Sequence, residues 1–165
     1  MASMEVRFGD ATRTVPLPNP WNLTAYLASV ATHRGRSISL HPVSESTLAG
    51  TGCGGGLWVA RVHDDVIVYD AAAIGHTADH AILHVIGHML LNHQRTQQRS
   101  ADSRPSSTAM VSSSISLHSV DDVLGRADLD ADQEREAEMF ADMTMVYASL
   151  PRRRRRSFRL FGWGR

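Results

Sequence analysis

His84 and His88 stand four residues apart in the run His84-Val85-Ile86-Gly87-His88. On an α-helix that spacing stacks two side chains on one face, so both imidazoles can aim a ring nitrogen at one Zn²⁺. The pattern is H-E-x-x-H with the glutamate replaced, because Val85 stands where a general base would take a proton from water. A third ligand has to come from another element. Glu134 is the candidate, at the head of the run Glu134-Arg135-Glu136-Ala137-Glu138-Met139-Phe140-Ala141. It shares a helix face with Ala137, Glu138 and Ala141, and the two alanines let this helix come close to the histidine helix. Glu138, one turn on, is placed to accept the free N–H of a ligating histidine. Each half has an ordinary explanation as well: histidines on an amphipathic helix, and acidic residues favoured at a helix start by the backbone dipole. Their joint occurrence favours the metal reading.

The elements that must carry these residues are legible from periodicity. Ala78 to His93 reads as a helix, with Ala81, Ile82, Leu83, Ile86, Met89, Leu90 and Leu91 as a broad apolar surface. The glutamate-bearing helix is expected from about Asp132 to Ser149, stopped by Pro151. Upstream, Glu5 to Val15 reads as an extended opening segment, with alternation around Val6 and Phe8. A second helix is expected with Asn19 as cap and Pro20 first, running through Leu23, Tyr26, Leu27 and Val30 to Gly35. Strands are expected at Ser37 to Val43, Leu57 to Val62 and Val66 to Tyr69, the last two joined by a turn at His63-Asp64-Asp65. The Ser- and Gln-rich stretch from Gln94 to Ser114 reads as a mobile loop, and a short turn of helix is expected near Val120 to Leu124. The expected fold class is α+β, a small, mostly antiparallel sheet beside a helix pair. Residues 1–150 form one domain and 151–165 an Arg-rich tail.

Lesser features compete with the main one. His80 lies four residues before His84, which makes His80 and His84 a rival metal pair. Gly87 and the glutamate helix agree only with His84 and His88. The glycines from Gly50 to Gly56 lack the Gly-Lys-Ser/Thr ending of a phosphate loop and suit a turn or a close backbone approach. The strand after them can serve as a plain edge strand or pair with an extended substrate. Cys53 is better read as a packed or solvent-facing thiol than as a ligand.

At 165 residues and 42% apolar, the chain can bury a core of its own. It has no run long and apolar enough for a membrane span and no signal-peptide pattern, so a cytoplasmic location is expected. A single cysteine excludes an intrachain disulfide framework. All 17 basic residues are arginine, which points to a GC-rich bacterial coding bias. The formal charge of zero hides an asymmetry: residues 1–150 hold 10 Arg against 17 acidic residues, and residues 151–165 hold 7 Arg and no acid. The tail, with Arg152 to Arg156, Phe158, Phe161 and Trp163, suits weak, non-specific binding of nucleic acid or an anionic surface by phosphate neutralisation and stacking; a disordered solvated tail, or one docked on the acidic body, is the favoured reading.

Together, His84, Gly87, His88, Leu91 and, displaced by one place, His93, followed by Glu134, Ala137, Phe140 and Ala141, resemble the motifs of the ImmA/IrrE family of zinc metallopeptidases. Gly54 to Asp70 is similar to that family's glycine and strand pair ahead of the active-site helix. The resemblance implies Zn²⁺ on His84, His88 and Glu134, with Glu138 behind a ligand. At His93 it implies either a substrate or transition-state contact or plain surface exposure. It also implies a regulatory role in stress or mobile-element transcription, in which a helix-turn-helix repressor is cut or bound. Val85 departs from the family at its catalytic glutamate. Two readings follow: a metalloendopeptidase disabled at its base, and a pseudopeptidase that acts by docking a transcription factor.

Overall fold

The computed structural model describes residues 3–49, 56–93, 120–124 and 129–150. The expected loop at 94–114, Cys53 and the Arg-rich tail lie outside them. The chain runs α1 (Met4–Thr14), α2 (Leu23–Arg34), β1 (Ser37–Val43), α3 (Glu45–Ala49), β2 (Gly56–Arg61), β3 (Asp64–Asp70), α4 (His76–Leu90), β4 (Val120–Leu124) and α5 (Ala131–Ser149). The fold is α+β. The sheet has the order β1-β3-β2-β4 and is mostly antiparallel: β2 pairs antiparallel with both β3 and β4, and only β1 with β3 is parallel.

The opening segment is helical, not extended. Phe8, Ala11 and Val15 recur at three and four residues and are all buried, which is the spacing of one helix face. Phe8 meets Phe140 edge to face at 5.4 Å, which seats α1 on α5. The second helix begins later than expected, because Asn22 rather than Asn19 supplies the cap: its side chain accepts the Ala25 N–H at 2.8 Å. Gly35 ends that helix as expected, at φ +66°.

Val120–Leu124 is a strand, not a helical turn. It pairs with the outer edge of β2, Val59 opposite Val123, and so satisfies backbone groups that an isolated β2 would leave open. That edge is therefore taken within the chain. The β2–β3 turn is also shorter than expected, since Asp64 and Asp65 already belong to β3. Asp65 is fully buried, and its charge is met by Arg34 at 2.8 Å and by the Trp58 indole N–H at 3.0 Å.

Two glycines set how closely β2 and α5 approach α4. A Cβ on Gly56 would lie 2.9 Å from Val85 Cγ2, so this glycine lets β2 press against α4. A Cβ on Gly87 would lie 3.2 Å from Ala137 Cα, Ala137 O and Phe140 Cβ, where α4 meets α5. Gly87→Ala gains helix propensity worth about 1 kcal/mol. It also overpacks a contact made partly of backbone, which costs about 1–3 kcal/mol. None of the three neighbours can rotate away, since Phe140 Cβ is fixed by its backbone as the two Ala137 atoms are, so the steric cost should win. A net loss of stability on the order of 1 kcal/mol, read by denaturant unfolding, is expected; a gain would mean that α5 shifts freely.

No helix among the described residues is long and apolar enough to cross a membrane.

Candidate metal centre

α4 is amphipathic in a way that sorts its histidines from its core. Ile82, Leu83, Val85, Ile86 and Met89 join the main apolar cluster, while His84 and His88 turn to α5. α4 ends at Leu90, three residues short of the expected His93, which lies just beyond it. α5 starts at a capping box in which Asp130 accepts from the Asp132 and Gln133 backbone N–H groups. That fixes the first turn, and Glu134 projects from it toward the two imidazoles.

The three expected ligands come together. His84 Nε2 and His88 Nε2 are 3.0 Å apart, His84 Nε2 is 3.6 Å from Glu134 Oε2, and His88 Nε2 is 3.4 Å from Glu134 Oε1. Tetrahedral ligands about 2.0–2.1 Å from one zinc stand roughly 3.3 Å from each other. The donor set therefore fits a cation of that size without moving an element. These residues form a group that could hold a metal ion.

Hydrogen bonds behind the ligands decide which ring nitrogens are free. Glu138 Oε2 lies 3.1 Å from His84 Nδ1; a carboxylate can only accept, so Nδ1 carries the proton and His84 Nε2 keeps its lone pair. The same logic runs through His88 in two steps. Glu136 Oε2 is 2.9 Å from His93 Nε2, which must donate, and the His93 Nδ1 lone pair then accepts from His88 Nδ1–H at 2.9 Å. Arg7 pairs with Glu136 and also donates to the Leu91 carbonyl at 2.9 Å, anchoring this arm to α1. Both Nε2 lone pairs consequently face one another beside a carboxylate. Three electron-rich atoms at such distances repel unless a cation or a proton lies among them.

The surface exposure expected as one reading of His93 is not what the structure shows. His93 is 4% exposed and sits on the Nδ1 side of His88, away from the Glu134 carboxylate. Val85, in the position of the missing general base, is 1% exposed and lies against Gly56. The rival His80 takes no part in the three-atom cluster and faces Asp142 instead. Sequence reasoning missed Glu136 and Arg7. Glu136 is two residues from Glu134 and so on another helix face, and nothing local ties Arg7 to either.

Burial pushes the His88 imidazole down to about 3, with the neighbouring His84 adding to the effect against the raising influence of Glu134. His93 is also lowered, chiefly by burial, although Glu136 opposes it. Both rings are neutral at physiological pH, the form that ligates. In the metal-free chain, nothing is lost above the ordinary value of 6.5. Below it, the unfolded chain takes up protons that the folded chain refuses, so stability declines as pH falls toward 3. The His88 share of that loss at pH 5 is about 2 kcal/mol, and His93 adds to it. Unfolding with a chelator present should show this drop between pH 7 and 5; a flat profile would contradict the burial of these rings.

Compared with protein-family models, with curated proteins and with solved structures, the chain matches none. The metal reading therefore stands on its donor atoms.

Proposed function

We propose that the chain is a zinc-binding, metallopeptidase-like protein whose hydrolytic step is disabled at Val85, and that it regulates by engaging a protein partner. His84, His88 and Glu134 would hold Zn²⁺, and an ion there would supply Lewis acidity. The observation that carries this reading is the pair of Nε2 lone pairs turned toward each other and toward Glu134 by Glu138 on one side and His93 with Glu136 on the other. Such fixed tautomers are what a resident metal requires. The resemblance to the ImmA/IrrE motifs supports a helix-turn-helix repressor as the partner class.

Val85 supports binding over cleavage. A valine has no proton to exchange, and this one is part of the apolar core, packed where β2 approaches α4. Protein purified without added zinc should carry close to one equivalent. Less than about a tenth, with no uptake when zinc is supplied, would overturn the reading. A helix-turn-helix repressor offered as partner should be bound and left uncut.

A further inference from the structure

The carboxylates of α5 fall into two sets by what opposes them. Asp132 is 2.7 Å from Arg135, and Glu136 pairs with Arg7. Among the described residues, Glu134, Glu138 and Asp142, each one turn after the last, lie against imidazoles: His88 and His84, then His84 and His80, then His80. Because the two helices run in opposite directions, the pairings make a ladder of histidines against carboxylates. The metal centre described above occupies its lower rungs.

The upper rung repeats the arrangement. His80 Nε2 is 3.1 Å from Asp142 Oδ1 and 3.7 Å from Glu138 Oε1, and one donor atom from each residue lies within 4.8 Å of the others. These separations bracket the roughly 3.3 Å between ligands of one zinc. Among the described residues, no arginine pairs with Glu138 or Asp142, whereas the carboxylates that point elsewhere on α5 have one. Even a protonated His80 would leave the rung negative. We infer that His80, Glu138 and Asp142 form a second divalent-cation site, of the zinc class and weaker than the first. An imidazole beside two carboxylates suits Zn²⁺ ahead of Ca²⁺ or Mg²⁺, which favour all-oxygen sets. The site is weaker because its carboxylates are open to water, the Asp142 side chain being 66% exposed. Glu138 belongs to both sites, one oxygen on the His84 N–H and the other toward His80.

The inference depends on the pairing of α4 with α5 and not on what the first site does. Equilibrium dialysis of the full chain against Zn²⁺ alone, followed by metal analysis, tests it. The wild-type chain should saturate at two ions, the second more weakly held. Asp142→Asn should weaken only the second, by about tenfold or more, and His80→Gln should do the same. His88→Ala should remove the tight ion and spare the weak one. Matched metal-free unfolding confirms that each variant is folded. Saturation at one ion, or two ions still held equally by Asp142→Asn and His80→Gln, would overturn the second site. Loss of neither ion in His88→Ala would instead count against the first.

Discussion

His88→Ala should leave the folded chain unable to hold zinc tightly. One of three donors goes, and the His93 ring loses the N–H that its Nδ1 accepts. Glu134→Ala should have the same result, since it removes the only anionic donor of the three. A metal that binds only the native state adds about 4 kcal/mol when its concentration is about 1,000 times its Kd. For a chain of this size that corresponds to roughly 8–16 °C in Tm, present in the wild type with zinc and absent in both variants. His93→Ala makes the informative contrast. It leaves every donor in place but frees the His88 ring to choose its tautomer, and outer hydrogen bonds of this kind are worth about 10–100-fold in metal affinity. Zinc titrations ranked wild type, then His93→Ala, then His88→Ala would confirm separate ligating and orienting roles. Equal affinity for wild type and His88→Ala would show that the imidazole is no ligand.

Val85→Glu should divide the two functional readings. A positioned general base is worth about 10²–10⁴ in rate. If the remaining site is that of a peptidase, zinc-dependent cleavage of a helix-turn-helix repressor offered as substrate should rise by about that factor. The substitution also puts a carboxylate where the valine is packed against Gly56. Burying such a group without a partner costs several kcal/mol, so the metal-free variant should unfold well below the wild type, and zinc should restore part of the difference. Val85→Gln is the matched control, nearly the same in shape and unable to act as a base. Cleavage by the glutamate form alone would establish a disabled peptidase. A folded, zinc-loaded Val85→Glu that binds the repressor and never cuts it would establish a docking protein.

The parts of the site legible in the sequence are those fixed by spacing within one helix. His84 and His88, and Glu134 with Ala137 and Ala141, follow from helical periodicity, and Gly87 from its place between the histidines. Each needs only local geometry. The segment Glu5 to Val15 misled because Val6 and Phe8 fit an alternating pattern as well as a helical one, and burial of Phe8, Ala11 and Val15 against other elements decided between them. β4 was hidden for a different reason. Its conformation is set by the backbone edge of β2, about 60 residues earlier, and Val120 to Leu124 carries no strong signal of its own. The second layer of the metal centre is non-local too, since Glu136 acquires its role only when α1 and the end of α4 are packed beside it.

That packing has a consequence for when the centre can exist. Arg7 and Glu136 meet across 129 residues of chain, and His84 and His88 wait for Glu134 from α5. During synthesis the N-terminal elements emerge first, yet His88 has neither its carboxylate neighbour nor the arm that orients it until α5 has been made and closed on α1 and α4. A nascent chain therefore offers zinc only a pair of unsupported imidazoles. Capture of zinc by this donor set would then be a late event, and its arrival would report that α1 and α5 have met.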